Sequence, residues 1–361
     1  MTARGLHALR IGLVGPVPPP GGGMANQTRQ LAELLSAAGA EVTLVPVNAP
    51  YRPRWIGQVA WLRALARLLP YLLALWRVAA RVDLFHVMAN SGWAWHLFAA
   101  PAIWVARWRG VPVVVNYRGG EAAAFLRRSA RLVRWTLGSG TTLVVPSGYL
   151  QAIFQRFGMS AQIVPNIIDL SRFSPRSMAR AGAPQLLVAR NLEALYDNET
   201  AIRALKVVRR YFPQATLTLC GSGPQEGALR RLAAAQGLAQ AVRFAGRLEP
   251  DAMAALYRKA DLVLNPSLAD NMPNSVLEAW ASGVPVVSTN VGGIPHLAQD
   301  GVTASLVPSS NPSAMAQACV ALLSNQVLWQ QRAQAGLQEA QRYTWARVQP
   351  VLAGAYGRAW P

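Results

Sequence analysis

The chain has 361 residues, of which 52% are hydrophobic and 14% are charged, and its formal net charge is +19. This length suggests two domains, and the apolar content is too high for a disordered chain. The two cysteines, Cys220 and Cys319, fit a reducing compartment and form no metal-ligand cluster. Cys220 ends an apolar run, so we expect it to be a core residue.

The positive charge is concentrated in one stretch of the chain. Between Arg52 and Arg134 there are 13 arginines and only two acidic residues, and eight of the 12 tryptophans lie between Trp55 and Trp135. Arginine combined with interfacial tryptophan suits an anionic membrane surface. Nucleic-acid binding is the alternative, but no helix-turn-helix, zinc-finger or RNP-type motif accompanies the charge, so no nucleic-acid partner is predicted.

The first segment predicts a strand, a glycine-rich loop, a helix and a second strand. Residues 8–15 form the apolar strand, whose run is too short for a secretory signal, and the helix is stopped at Gly39. The loop contains Gly21, Gly22 and Gly23. Consecutive glycines let a ligand approach the backbone and present N–H groups to it, although a flexible turn is the alternative.

Residues 51–82 form an Arg/Trp-rich tract with leucines at helical spacing. We predict helices here, broken or kinked at Pro70. They are either an ordinary surface pair with one buried face or an interfacial membrane helix with a wide apolar face and a basic face. Residues 84–106 contain no charged side chain and are long enough to span a bilayer, but their polar residues and Pro101 favour a strand, a loop and a helix.

Residues 260–289 contain the strand, loop, helix and strand where we place the functional site. The run ADLVL predicts a buried strand, and residues 275–283 predict a short helix that ends at a glycine. In an open α/β sheet such a loop is the usual ligand site, and the first-turn N–H groups favour an anion. Asp270 lies in the loop and Glu278 in the helix. With Ser275 as N-cap, Glu278 would also complete a capping box, and the two roles are compatible.

The carboxylates Asp270 and Glu278, eight positions apart, resemble the E-x7-E signature of the family 4 glycosyltransferases. Asp270 stands at the first Glu of that signature and Glu278 at the second. The Gly-x-Gly turn at Gly221 and Gly223 and the strand-end Arg190 also resemble family motifs, and the resemblance covers nearly the whole chain. It implies the α/β GT-B fold, with two Rossmann-like, doubly wound domains and a cleft between them.

The resemblance also implies the domain boundaries. Residues 1–172 are expected to form an N-terminal acceptor-binding domain, and residues 173–342 a C-terminal domain that binds the nucleotide-sugar donor. The linker is placed near residues 171–183, and a terminal helix at about 343–361 is expected to pack back on the first domain.

The family motifs imply the roles of the site residues. Arg190 is expected near the donor phosphates, and Glu278 is expected to accept hydrogen bonds from the ribose hydroxyls. The implied catalytic residues are Asp270, Glu278 and Arg118. The other implied donor-binding residues are Gly221, Gly223, Arg247, Asn271, Met272, Pro273, Asn274 and Ser275. The loop Gly21–Gly23 corresponds to the glycine loop that the family directs at its cleft.

The sequence departs from the family pattern at three positions of the implied site. Arg118 stands where the family often has His; a guanidinium can stabilise phosphate or developing negative charge, but it cannot accept a proton near pH 7. Tyr196 and Asp197 occupy the neighbourhood of a phosphate-binding Lys. Arg118 and Arg247 are the candidates to replace that charge. Asp270 is one methylene shorter than the usual Glu.

The predicted function is a retaining glycosyltransferase of the hexosyltransferase type. It would move a sugar from a nucleotide sugar to a lipid-linked or membrane-proximal glycan in envelope, exopolysaccharide or lipopolysaccharide synthesis, in the cytoplasm and peripheral to the inner face of the membrane. No Asp-x-Asp occurs in the sequence, and neither a metal nor another cofactor is predicted. The alternatives are a GT-B nucleotide-sugar epimerase or hydrolase, and a catalytically impaired scaffold of the same fold.

Overall fold

The structure is a computed structural model that describes residues 6–19, 22–49, 60–175 and 182–359, with the backbone alone for residues 60–65. The chain divides into two units. Unit 1 comprises Met1–Asn166 and Val348–Pro361, and unit 2 comprises Ile167–Arg347.

Strands and helices alternate along both units. The strands are β1 (Arg10–Gly15), β2 (Glu41–Pro46), β3 (Leu84–Ala89), β4 (Val113–Tyr117), β5 (Thr141–Val145), β6 (Gln162–Ile163), β7 (Gln185–Ala189), β8 (Thr216–Cys220), β9 (Val242–Gly246), β10 (Leu262–Asn265), β11 (Val286–Thr289) and β12 (Ser305–Val307). The helices in the first segment of unit 1 are α1 (Gly23–Ala37), α2 (Ala60–Ala79), α3 (Ala100–Trp108), α4 (Ala122–Leu137) and α5 (Gly148–Arg156). The remaining helices are α6 (Asn198–Val208), α7 (Glu226–Ala235), α8 (Pro250–Lys259), α9 (Asn274–Ala281), α10 (Ile294–Leu297), α11 (Pro312–Ser324), α12 (Gln326–Ala340) and α13 (Trp345–Ala359).

Each unit is built on a six-stranded parallel sheet. The strand order is β2-β1-β3-β4-β5-β6 in unit 1 and β12-β11-β10-β7-β8-β9 in unit 2. Central strands such as β3 and β4, and β10 and β11, are buried along their whole length. Near-continuous apolar runs of this kind are typical of parallel sheets that helices cover on both faces. The prediction of two Rossmann-like α/β domains is therefore confirmed.

Several local predictions are also confirmed. Helix α9 follows β10 after a loop, as predicted. The chain turns out of the helix at Gly283, whose φ of +63° favours glycine. Cys220 is buried, with 5% of its surface exposed. Residues 84–106 contain strand β3, a loop, a π-helical turn at Trp95–Ala99 and most of α3. Within the described ranges, no helix is both long enough and apolar enough to cross a membrane.

The structure differs from the sequence expectation at Pro70. Helix α2 runs from Ala60 to Ala79 without interruption, so the predicted break is wrong. Pro70 is exposed, and water can replace the hydrogen bond that its missing N–H would have made. Residues 51–59 of the same tract lie outside the described residues.

The units meet along the chain after Asn166, a few residues before the predicted boundary. Ile168 already belongs to unit 2, because its N–H donates to the carbonyl of Tyr343 at 2.9 Å and it pairs with Thr344. At the other end, α13 begins at Trp345 and the chain from Val348 belongs to unit 1. Residues 176–181 of the predicted linker lie outside the described residues.

Trp280 anchors α9 in the core of unit 2. Its side chain is fully buried, and its Nε1–H donates to the carbonyl of Thr303 at 2.9 Å. Gly336 of α12 lies so close to the indole that a Cβ at this position would overlap Cδ1 of the ring. Because Gly336 has no side chain, α12 can pack closely against α9, the helix that carries Glu278.

We expect Gly336→Ala to lower the free energy of unfolding by about 1–3 kcal/mol, because the ring cannot move without losing its hydrogen bond. Gly227→Ala in α7 is the matched control, since its Cβ would meet nothing nearer than 3.6 Å. Alanine there should be neutral or stabilising by up to about 1 kcal/mol. Urea unfolding followed by circular dichroism measures both variants. Wild-type stability in Gly336→Ala would contradict this account of the packing.

Candidate functional site

An ion pair between Arg190 and Asp270 lies at the carboxyl edge of the sheet of unit 2. Arg190 follows β7 and Asp270 follows the neighbouring parallel strand β10, so the topology brings them together. Nη2 of Arg190 donates to Oδ2 of Asp270, and the two side chains are only 12% and 11% exposed. Asp270 also accepts from the hydroxyl of Ser267 at 3.3 Å and from the N–H of Asn271 at 3.0 Å. Burial raises the pKa of Asp270, although Arg190 and these hydrogen bonds act to lower it.

Tyr196 fixes the plane of the Arg190 guanidinium. The guanidinium carbon lies 4.2 Å from the centre of the tyrosine ring, which is a cation–π contact. The next residue, Asp197, is the N-cap of α6, where its carboxylate accepts from the N–H and the hydroxyl of Thr200. The two residues found where the family has a Lys therefore orient Arg190 and cap a helix, and neither adds a positive charge.

The predicted Gly-x-Gly turn after β8 packs on the backbone that carries Arg190. Gly221 has a φ of +148°, and a Cβ there would overlap the carbonyl oxygen of Arg190. A Cβ at Gly223 would overlap the carbonyl oxygen of Leu192. Both positions need glycine because of this close approach, so the turn helps to position Arg190.

A second glycine pair holds the loop between β10 and α9. The N–H of Gly293 donates to the carbonyl of Asp270 at 2.8 Å. A Cβ on Gly292 would overlap this carbonyl oxygen, and a Cβ on Gly293 would overlap that of Asn271. The turn before α10 therefore fixes the backbone of the loop in which Asp270 lies.

Glu278 lies in the second turn of α9 and is partly buried. The hydroxyl of Tyr257, a fully buried residue of α8, donates to its Oε2 at 2.8 Å. Burial raises the pKa of Glu278, whereas the bond from Tyr257 and the charge of Arg190 lower it. The effect of Arg190 on both carboxylates indicates that Asp270 and Glu278 belong to one electrostatic site.

The first turn of α9 has no side-chain cap. The helix begins at Asn274 with Pro273 as its N-cap. The alternative in which Ser275 caps the helix and forms a capping box with Glu278 is therefore wrong. The N-terminus of α9 keeps its dipole and its first-turn donors without a carboxylate cap.

The buried polar atoms beside this loop include some that have no hydrogen-bond partner among the described residues. Nε of Arg190 and Oγ of Ser275 are among them. A buried group without a partner costs about 1–3 kcal/mol, and such a group in a native protein calls for an explanation, such as a bound ligand or water. Their positions, at the end of β7 and in the first turn of α9, mark the surface where a ligand would bind.

The other residues predicted for this site surround it. Arg247, just after β9, is exposed and donates to the hydroxyl of Ser222 at 3.3 Å, so it lies beside the Gly-x-Gly turn. The loop residues Asn271, Met272 and Pro273 are buried, and Asn274 is partly buried. The structure therefore places the predicted donor-binding residues along one edge of unit 2.

Arg118 follows β4 at the carboxyl edge of the sheet of unit 1, where three amide oxygens hold it. Its Nε donates to Oδ1 of Asn116 at 3.1 Å, and its Nη1 donates to Oε1 of Gln27 at 2.9 Å and to Oδ1 of Asn166. Burial lowers the pKa of Arg118 to about 10, so the side chain is charged at neutral pH. None of these three partners is a carboxylate, and its positive charge is not neutralised by them.

A chain of hydrogen bonds connects Arg118 with helix α13. Arginine can only donate, so Oδ1 of Asn116 faces Arg118 and Nδ2 of Asn116 donates to Nε2 of His86 at 3.1 Å. The imidazole proton is then on Nδ1, which donates to the hydroxyl oxygen of Tyr356 at 2.9 Å. Burial and the charge of Arg118 lower the pKa of His86 to about 3, so the ring is neutral near pH 7. This network fixes the orientation of Arg118.

The glycine loop of unit 1 is only partly described. Gly22 is the N-cap of α1 and Gly23 is its first residue, and a Cβ at either position would meet open space. The helix starts without a side-chain cap. Gly21 lies outside the described residues.

Sequence reasoning missed five residues that support these sites. They are Tyr257, Ser267, Asn116, His86 and Tyr356. A polar residue inside an apolar strand was a usable signal for His86 in LFHVMA and for Asn116 in VVVNY. Tyr257 had no local signal, because only the packing of α8 against α9 brings it to Glu278.

No group of three or more His, Cys, Asp or Glu side chains in the described ranges is arranged to hold a metal ion. Among the described residues of unit 2, Arg190 and the start of α9 are groups that suit an anion.

Two family models match the chain. Residues 21–172 match the model described as Glycosyltransferase Family 4, and residues 183–325 match the model described as Glycosyl transferases group 1. The first range includes Arg118, and the second includes Arg190, Asp270 and Glu278.

Curated relatives and solved structures agree with these models. Glycogen synthase of Mycobacterium tuberculosis (strain ATCC 25618 / H37Rv) is 30% identical over 275 residues, which cover 72% of this chain and 66% of that relative, slightly less than two thirds of its length. Phosphatidyl-myo-inositol mannosyltransferase of Mycobacterium leprae (strain TN) is 26% identical over 375 residues, 96% of each chain. HepE of Anabaena, solved in complex with UDP-glucose, superposes with a TM-score of 0.76 at 18% identity and covers 97% of this chain and 99% of its own, which shows a shared fold.

The raised pKa of Glu278 predicts how stability changes with pH. Its pKa in the folded protein lies above its ordinary value of 4.5, so the folded state holds the proton more tightly than the unfolded chain. Protonation of Glu278 therefore stabilises the folded state. This stabilisation is present below pH 4.5 and is lost as the pH rises through the pKa of Glu278 in the folded protein.

We therefore expect the free energy of unfolding of the wild type, relative to Glu278→Gln, to fall as the pH rises above about 4.5, by at most about 1.4 kcal/mol per pH unit. Urea titrations of both proteins across this range measure the difference, and groups common to both cancel. A difference that is flat or rises with pH would show that Glu278 is not buried in this way.

Proposed function

The chain belongs to the family 4 glycosyltransferases and has the GT-B fold, and we propose that it transfers a sugar from a nucleotide sugar to a lipid-linked or membrane-proximal glycan. The transfer is of the hexosyltransferase type, retains the configuration of the anomeric carbon and needs no metal or other cofactor. The product enters an envelope polysaccharide, such as an exopolysaccharide or a lipopolysaccharide. The protein acts in the cytoplasm, at the inner face of the membrane.

One observation carries the proposal for the donor site. Arg190 is largely buried, donates to Asp270 through Nη2 and leaves its Nε–H without a partner among the described residues. Tyr196 fixes the guanidinium plane, so the free donor has a defined direction. A diphosphate oxygen is the acceptor that suits such a donor, because charge-assisted bonds from arginine to phosphate are strong.

The start of α9 supports the same assignment. Its first turn has no side-chain cap, and the buried Oγ of Ser275 has no partner among the described residues. Backbone N–H groups and the helix dipole at such an end favour an anion. The diphosphate of the donor is proposed to bind between this turn and Arg190.

Glu278 is proposed to bind the ribose of the donor. Its Oε2 accepts from Tyr257, which leaves Oε1 available for a hydroxyl group of the nucleotide. This is the role that the second Glu of the E-x7-E signature has in the resemblance described above. Asp270, four residues before α9, is proposed to meet the sugar.

The names of relatives support the class of donor and acceptor. HepE was solved with UDP-glucose, a nucleotide sugar. The Mycobacterium leprae relative is named phosphatidyl-myo-inositol mannosyltransferase, a name that includes a phospholipid. For this chain, a lipid-linked acceptor also agrees with the Arg- and Trp-rich composition of residues 52–135.

The charge that develops on the leaving diphosphate is proposed to be met by arginines and backbone N–H groups. Arg118 is proposed as a catalytic residue of unit 1, since its positive charge is not neutralised by the amides that hold it. In the proposed reaction the bond from the sugar C1 to the diphosphate breaks as the acceptor hydroxyl bonds to C1 from the same face. The hydroxyl proton passes to the leaving phosphate, so no covalent protein intermediate is assigned.

We expect Glu278→Gln to lower kcat/KM for the donor by about 10- to 100-fold, because hydrogen bonds to a charged acceptor contribute about 1.5–3 kcal/mol. The assay follows nucleotide release and sugar transfer with uridine, guanosine and adenosine diphosphate sugars and a membrane lipid extract. Glu199→Gln in α6 is the matched control, since Glu199 is exposed and pairs only with Arg203 one turn away. Wild-type turnover by Glu278→Gln would remove Glu278 from the site.

The same assay separates the alternatives. Donor hydrolysis or epimerisation without transfer to any acceptor would replace the proposed activity with that of a GT-B hydrolase or epimerase. No turnover and no binding of any nucleotide sugar would indicate a scaffold protein.

A further inference from the structure

Three consecutive helices of unit 1 cover one part of its sheet and share one core. Buried residues of α2, α3 and α4, such as Leu75, Ile103 and Leu126, pack in the same cluster. The outward sides of these helices carry an unusual set of exposed residues. We define the aromatic–arginine surface as Leu73, Trp76, Trp108, Arg109, Arg131 and Trp135.

Side-chain contacts join the three helices into one surface. The guanidinium carbon of Arg109 lies 4.9 Å from the ring centre of Trp76, which connects α3 with α2. The rings of Trp104 and Trp135 meet edge to face with centres 5.7 Å apart, which connects α3 with α4. The exposed tryptophans are therefore parts of one continuous surface.

The tryptophans of this surface are exposed to an extent that packing within unit 1 does not explain. Trp76, Trp108 and Trp135 have 47%, 81% and 66% of their surfaces exposed. Leu69 and Leu73, two turns and one turn before Trp76 on the same side of α2, are 59% and 55% exposed. Contiguous exposed apolar groups of this size mark an interaction surface.

The charge of the surface has one sign. Helix α4 exposes Arg127, Arg128, Arg131 and Arg134 along its length. The acids between residues 52 and 134 are Asp83, which is bound to Arg10 at 2.6 Å, and Glu121, which is the N-cap of α4 at the end opposite Trp135. The partner must therefore be anionic.

The combination of tryptophan and arginine identifies the kind of anionic partner. Tryptophan prefers the level of the lipid headgroups, where its apolar ring is buried and its N–H remains hydrated. Arginine near an anionic leaflet contributes about 1 kcal/mol of attraction per residue. We propose that the aromatic–arginine surface docks unit 1 on a bilayer rich in anionic phospholipid.

The surface lies away from the predicted catalytic edge of unit 1. Trp76, Trp108 and Trp135 are near the last turns of α2, α3 and α4, which lead into the starts of β3, β4 and β5. Arg118 lies at the opposite edge, just after the end of β4. Docking through the three helices therefore leaves Arg118 and the start of α1 uncovered.

This inference deepens the proposed function, which places the acceptor at the membrane, but its test does not need transfer activity. The wild-type protein and variants are floated with vesicles of phosphatidylglycerol and phosphatidylcholine, and with vesicles of phosphatidylcholine alone. We expect the wild type to float with the anionic vesicles at low salt, to bind less at high salt and to stay unbound with the neutral vesicles.

Two double variants test the surface itself. Arg109→Gln with Arg131→Gln should lower the partition onto anionic vesicles by about 30-fold, and Trp108→Ser with Trp135→Ser should lower it at high salt as well as at low salt. The matched control in unit 2 combines Arg230→Gln with Tyr211→Ser, which removes a cation and an exposed aromatic residue without touching the surface. Thermal unfolding and circular dichroism confirm that each variant is folded.

Equal binding to neutral and anionic vesicles, or wild-type partition in both surface variants, would overturn the proposal. Salt-resistant binding of a duplex oligonucleotide that is lost in the tryptophan variant would instead assign the surface to nucleic acid. Vesicle binding without transfer would remove the proposed function and keep the docking surface. Transfer without vesicle binding would keep the proposed function and remove the docking surface.

Discussion

The ion pair between Arg190 and Asp270 is the interaction on which the arrangement of unit 2 depends. It joins the ends of two neighbouring strands, β7 and β10, and each partner is held by a pair of glycines that no other residue can replace. Gly221 and Gly223 let one turn pack on the backbone of Arg190, and Gly292 and Gly293 let another pack on that of Asp270. The pair is largely buried, so losing one partner would leave the other as an uncompensated charge. The loop that opens α9 is thus fixed before any ligand binds.

The electrostatics of this site follow from one guanidinium placed near two carboxylates. Arg190 acts on the pKa of both Asp270 and Glu278, and burial raises the pKa of each. Tyr196, where the family resemblance implies a lysine nearby, orients Arg190 and adds no charge. The proposed attraction of unit 2 for a diphosphate therefore rests on the Nε–H of Arg190, which has no partner among the described residues, and on the uncapped start of α9. In unit 1, Arg118 has a positive charge that neutral amides hold in place without cancelling it.

The sequence predicted the fold because the fold depends on local patterns, and the candidate site residues that it named lie where that fold places them. Apolar runs between glycine turns gave the strands, and carboxyl ends of parallel strands must share an edge, which brought Arg190 and Asp270 together. The sequence could not show that Tyr257 reaches Glu278, because that contact depends on how α8 packs on α9. The capping box with Ser275 failed because the N-cap is Pro273, two residues earlier than the motif requires. Propensity also failed at Pro70, where an exposed helix face tolerates the lost hydrogen bond.

The central claim is that a nucleoside diphosphate binds beside Arg190 without a divalent cation. Calorimetric titration of uridine, guanosine and adenosine diphosphates in the presence of EDTA tests it most directly, with the wild type, Arg190→Lys and the surface control Arg203→Lys. Lysine keeps a cation beside Asp270 but removes the Nε–H donor, so we expect one diphosphate to bind the wild type and the control, and to bind Arg190→Lys about tenfold more weakly. Binding to the wild type only when a divalent metal is added, or equal affinity in Arg190→Lys, would contradict the account.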